Sequence, residues 1–124
     1  MAVAESQGES SDLIPKIATG FCSGVARTGN LCGALSGGIM GLGLLAGRCE
    51  PGTSVEVIYS LVQDLVSQFE EKFGAICCME LTGVHLGTAE GQVMFRERGQ
   101  IEKCFEYVEE ATRIVLQSAG SINK

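Results

Sequence analysis

TSVEVIYSLVQDLVSQFEEKFG, residues 53–74, places Ile58, Leu61, Val62, Leu65, Val66, Phe69 and Phe73 at helical spacing. Glu56, Gln63, Asp64, Gln68, Glu70 and Glu71 fall mainly on the other side, so one face is apolar and the other solvated. Thr53-Ser54-Val55-Glu56 reads as a capping box, in which the Thr hydroxyl and the Glu carboxylate satisfy free amides at a helix start. Gly74 supplies the stop. The stretch is an amphipathic core helix with no chemistry of its own.

Upstream, Thr28 to Gly47 runs for twenty residues without a charge, about the length of a membrane span. Seven of the twenty are glycine, and Thr28, Asn30 and Ser36 add polarity, so a buried helix is the better reading. It is expected from about Leu31 to Gly47, where Gly47, Arg48 and Pro51 form a stop signal. Gly33, Gly37 and Gly41 recur every four residues as a smooth stripe. Each interior glycine costs about 0.5–1 kcal/mol of helix stability relative to alanine. Something must therefore approach closely, either another helix backbone or a cofactor. Close packing through such a stripe is also one means of forming a homodimer.

The rest of the chain reads as helices and short loops. Ser11 or Asp12 can cap a first helix, with Pro15 in its opening turn, that fails near Gly24 or Gly29. A last helix is expected from about Gln100 to Ala119, with Ile101, Cys104, Phe105, Val108, Thr112, Val115 and Ala119 facing the core. Ala75 to Gly83 reads as a short helical turn and Thr88 to Glu97 as a weaker helix. No strand is convincing. The expected fold is all-α, a compact four- to five-helix bundle with a Gly-rich central helix. Residues 1–11, rich in Ser, Gly and Glu, are expected to be a disordered N-terminal tail, and 12–124 a single helical domain.

Apolar residues make up 45% of the 124 and aromatic ones 6%, with no Trp, so the core must rest on Leu, Ile, Val, Ala and a few Phe. A net charge of −6 argues against nucleic acid, because phosphate contacts need a Lys/Arg surplus. Residues 1–11 carry neither a cationic nor an apolar leader segment, so a cytoplasmic location is expected. Thiols stay reduced there, and six cysteines then point to metal, redox or core use before a disulfide framework.

Those six, Cys22, Cys32, Cys49, Cys77, Cys78 and Cys104, contain no Cys-x-x-Cys pair, so the familiar thioredoxin and zinc-ribbon spacings are missing. Buried free cysteine is common, and core packing is the bland alternative for each. Cys32 stands out by its address. It sits where the Gly-rich loop Arg27-Thr28-Gly29-Asn30 feeds the second helix, and unpaired amides at a helix start favour a thiolate. A lowered pKa is expected there. Gly33, directly after, leaves no side chain to hold a cluster or partner thiol away. A chain turning at Thr28-Gly29 could bring Cys22 back against Cys32. Cys77 and Cys78 project apart, so only one serves a given site, and Cys49 is expected in an exposed loop. His85, the only histidine, lies in a loop and supports no hydrolase. The Gly-rich stretch contains no Lys for a phosphate cradle.

Taken together, these pieces resemble the C-GCAxxG-C-C family of small bacterial and archaeal redox-active chains. Gly20-Phe21-Cys22-Ser23-Gly24, then Cys32-Gly33-Ala34-Leu35-Ser36-Gly37, then Gly43-Leu44 and Gly47-Arg48, look like its core motif. Cys78 with Glu80-Leu81 and Gly83 looks like its third cysteine, and Cys104 like its fourth. In the commoner family pattern the first cysteine lies in a helix upstream of the Gly-Phe segment; this chain has Cys22 instead. The resemblance implies a helical fold and a redox association, with Cys32, Cys78 and Cys104 as working thiols; either Cys22 takes the place of the upstream cysteine, which is the preferred reading and gives four, or the chain has three family thiols.

Four functions compete. The first is a two-iron or four-iron iron–sulfur cluster on those four cysteines, with Gly33 giving close approach, for electron transfer or redox sensing with an unknown partner. The second is a thiol–disulfide protein with Cys32 activated and Cys22 resolving. The others are a structural zinc site on the same cysteines and a non-catalytic helical interaction module. A classical enzyme is not expected.

Overall fold

The computed structural model describes residues 1–122, and side chains as far as residue 120. It is all-α, with seven right-handed helices among the described residues: α1 (Ala2–Ser6), α2 (Leu13–Ala18), α3 (Gly33–Ala46), α4 (Glu56–Phe73), α5 (Cys78–Thr82), α6 (Ala89–Glu97) and α7 (Ile101–Ile122). A 3-10 turn, Thr19–Phe21, follows α2. The three long helices α3, α4 and α7 form the bundle, and the four short ones dress it. Among the described residues, no helix is long and apolar enough to cross a membrane.

The core is Leu35 and Leu42 of α3, Leu65 and Phe69 of α4, and Tyr107, Ala111, Ile114 and Val115 of α7. Burying each large side chain contributes about 1.5–3 kcal/mol. Along α4, Ile58, Leu61, Val62, Val66 and Phe73 pack partly buried against the same cluster, so the seven-residue apolar pattern points inward as its spacing requires. Gly74 closes α4 in the left-handed conformation at φ 82°, where only glycine has no Cβ penalty.

Four expectations are corrected. The capping box does not form: α4 begins at Glu56, and Arg48 donates to the Pro51 and Thr53 carbonyls, holding Thr53 in the loop. Part of the supposed tail folds, since α1 buries Val3 and Ala4, the former against Gly41 of α3. The apolar pair outweighs the polar residues around it. The first helix is shorter than expected and ends at Ala18. Finally, Val115 and Ala119 are buried in α7 as expected, but the first half of the helix is rotated. Ile101, Phe105 and Val108 are 47%, 55% and 50% exposed, whereas Tyr107, Ala111 and Ile114 are buried. Phe69 and Phe73 set this rotation by packing their rings 5.9 and 4.8 Å from that of Tyr107.

Between the 3-10 turn and α3, Ser23, Gly24, Val25, Ala26 and Arg27 all have positive φ, from 53° to 69°. Residues 23–27 thus wind as a left-handed helical turn. That conformation costs roughly 1–2 kcal/mol for each residue with a Cβ, and β-branched Val25 is the most strained. Local bonds hold it. Asn30 N–H donates to the Gly24 carbonyl at 3.0 Å, and the Thr28 hydroxyl reaches the Gly24 and Val25 carbonyls at 3.0 and 2.8 Å. Such strain persists only where the surroundings over-determine it, and it collects at working sites.

Away from the cysteines, Glu110 of α7 is buried, accepts from Lys72 of α4 at 3.0 Å and pairs with Arg113. The hydrogen bond from Arg113, and then that from Lys72, pull its carboxyl from 4.5 to about 2. The folded value lies below the unfolded one, so this stabilisation is complete above pH 4.5 and is lost as the pH falls through about 2. Both cations are about half exposed and screened by water. Glu110→Gln is therefore expected to cost about 1–2 kcal/mol at neutral pH. Urea midpoints should show that difference, and it should vanish near pH 2.

Candidate functional site

Two loops are zipped together to start the site. Cys32 N–H donates to the Ile76 carbonyl at 2.9 Å, and Cys78 N–H to the Asn30 carbonyl at 2.7 Å, around an antiparallel bridge between Leu31 and Cys77. Successive side chains on such backbone point to opposite faces. Cys32 and Cys78 therefore share one face, and Cys77 is turned to the other. This is the physical reason that one of the adjacent pair joins the site and the other does not.

Cys32 is the residue immediately before α3, and Cys78 opens α5. Both are buried. Cys104, half-buried, comes across from the first turn of α7. The left-handed turn lays Gly24 on top of Cys78, 3.2 Å from its Sγ for a Cβ built there. Gly33 does the same for Cys22: a Cβ on it would stand 3.3 Å from the Phe21 carbonyl and 3.4 Å from Cys22 Cα. Cys22 itself is exposed.

A cavity of about 850 Å³ is lined by Cys22, Cys32, Cys78 and Cys104, and by neither Cys49 nor Cys77. Gly33, Gly37 and Gly41 line it too, so the glycine stripe of α3 is part of its wall. Gly37 meets only open space, whereas close helix contacts fall on Gly41, against Val3 of α1, and on Gly38, against Leu65 and Val115.

The thiols interact electrically. Burial, opposed by the Ala34 and Leu35 amides, pushes the Cys32 thiol up. Burial and the neighbouring Cys32 raise Cys78, against a hydrogen bond from Thr82. Cys104 is pushed to about 11 by burial, then by Cys32 and Cys78. The lowered pKa expected at Cys32 is thus corrected. The helix-start amides are there, but desolvation outweighs them. The structure thus gathers Cys32, Cys78 and Cys104 and leaves exposed Cys22 at the rim of the cavity. No group of three His, Cys, Asp or Glu among the described residues could hold a single metal ion, which counts against the zinc reading.

Three features escaped the sequence reading. Tyr107 stands behind the thiols, its hydroxyl directed at the Leu81 carbonyl at 3.4 Å, and burial followed by Cys104 raises its pKa. Arg27 and Arg96 line the cavity, as do Ile101, Phe105 and Val108. Only the rotation of α7 exposes that apolar trio, and no local pattern encodes it. His85 is exposed and its Nδ1 accepts from Gly87 N–H at 2.9 Å, a loop-closing role.

No curated protein and no solved structure matches the chain. A family model described as "Putative redox-active protein (C_GCAxxG_C_C)" matches residues 1–118. That span takes in every cysteine and nearly all of the bundle around them, and the chain belongs to the C_GCAxxG_C_C family.

Proposed function

We propose that this chain is a redox protein that binds an iron–sulfur cluster through Cys22, Cys32, Cys78 and Cys104, for electron transfer or redox sensing. The observation that carries the reading is the single cavity lined by those four cysteines and by neither of the other two. The residues fit such a group. The donors are soft thiols, Gly33 lets the Phe21–Cys22 backbone pack close to the start of α3, and Gly37 faces open space in the cavity wall. When bound, the cluster would supply one-electron chemistry tuned by burial and by N–H···S bonds.

The protein's own groups serve that end. The Ala34 and Leu35 amides and the Thr82 hydroxyl favour the deprotonated sulfurs of Cys32 and Cys78. Burial holds the same thiols protonated until a cation arrives, so loading must release protons and weaken as the pH falls. Cys22, exposed at the rim, gives a partner protein its nearest approach. The raised pKa of Cys32 works against the alternative in which that thiol is an activated nucleophile resolved by Cys22.

The test is reconstitution. Reduced protein incubated anaerobically with ferrous iron and sulfide, then desalted, should be brown, with sulfur-to-iron charge-transfer absorbance and matched iron and sulfide. A colourless, iron-free product would remove the reading.

A further inference from the structure

The cavity over the cysteines is larger than side-chain-ligated metal needs. Its volume of about 850 Å³ lies within the range of sites for small organic molecules. Large apolar side chains are left open to it: Ile17 of α2, Leu44 of α3, and Ile101, Phe105 and Val108 of α7, each 47–67% exposed. Apolar side chains exposed together in one concavity mark a binding surface, whereas scattered ones do not.

The charged lining is one-sided as well. Arg27 and Arg96 line the cavity, and none of the described residues lining it is acidic, although the chain has 15 acidic and 9 basic residues. Neither guanidinium has an ion-pair or hydrogen-bond partner among the described residues. A guanidinium presents a planar fork of donors that matches a carboxylate. Free forks beside an open hydrocarbon wall suit a molecule that is anionic at one end and apolar along its body.

We infer that the cavity binds an amphiphilic organic anion of the fatty-acid type. Its carboxylate is held by Arg27 and Arg96, and its hydrocarbon body lies against α2 and α7 beside the cysteines. The inference uses the cavity of the proposed cluster but does not require the cluster.

Decanoate and its neutral analogue 1-decanol are the probes, titrated calorimetrically into the reduced, iron-free full chain. The expected result is one decanoate per chain, weakened about tenfold by Arg27→Gln/Arg96→Gln, with decanol binding changed by less than about twofold. Retained decanol binding shows that the double variant keeps its cavity. Phe105→Glu, with an unchanged circular-dichroism spectrum, should remove both ligands. No saturable binding, or an arginine variant that binds decanoate as well as the parent, overturns the inference. So does a self-associated chain in which a second copy covers the cavity and decanoate no longer enters. The Cys32→Ala/Cys78→Ala variant separates the two claims, since it should keep decanoate while losing the chromophore. Decanoate binding with no chromophore in any form removes the cluster alone, and a chromophore with no decanoate binding removes the ligand alone.

Discussion

Gly24→Ala is expected to destabilise the chain by about 2–5 kcal/mol and to disable the site. An alanine at left-handed φ costs roughly 1–2 kcal/mol, but that is the smaller part, because Ser23, Val25, Ala26 and Arg27 already tolerate positive φ with side chains. The larger part is space. A Cβ on Gly24 would overlap Cys78 Cβ and stand 3.1 Å from the Asn30 carbonyl. Neither is the far end of a flexible side chain, so relief requires the two loops to separate. Overpacking of this kind costs typically 1–3 kcal/mol. Separation would also break the Cys78 N–H to Asn30 bond that holds Cys78 beside Cys32. Gly99→Ala is the matched control. Gly99 also has positive φ, 63°, but a Cβ there meets nothing within 4 Å, so only the backbone cost of about 1 kcal/mol should appear. Denaturant midpoints of the two variants measure the difference. Equal losses would show that Gly24 is needed for its backbone angle alone.

The second large effect is expected in a cysteine scan read by iron retained after reconstitution and desalting. Cys32→Ala, Cys78→Ala and Cys104→Ala should each abolish the chromophore, because these three thiols bear on one another from three segments. Cys22→Ala should also lose iron, leaving three thiolates and an open edge. Cys49→Ala and Cys77→Ala should load as fully as the parent, since neither residue lines the cavity. Removing one buried thiol leaves a void smaller than a methylene-rich side chain would, costing about 1 kcal/mol, so the variants should stay folded by circular dichroism. Loss of iron on Cys77→Ala would break the assignment. Full retention by Cys22→Ala would cut the proposed ligand set to three.

The sequence was most legible where structure is local. Helical spacing put Leu65 and Phe69 into the core, and Gly74 ended their helix as expected. Cys32 lies at a helix start as the Gly-rich loop before it suggested. The four cysteines chosen from six do line one cavity, yet Cys78 and Cys104 were chosen through family resemblance and not through spacing. The capping box failed although its pattern was clear, because Arg48, five residues before Thr53, took hold of the same loop.

Sequence alone therefore determined the helical class, the amphipathic α4 and the place of Cys32 at a helix start, because periodicity and turn chemistry act over a few residues. Tertiary structure decided the rest. The left-handed turn exists because Thr28, Asn30 and Cys78 hold strain that residues 23–27 would otherwise relax. The phase of α7 was set by Phe69 and Phe73 closing on Tyr107, more than thirty residues away in the chain. The state of the Cys32 thiol followed the same rule. Two nearby amides favour its charge, and burial by distant segments overrules them.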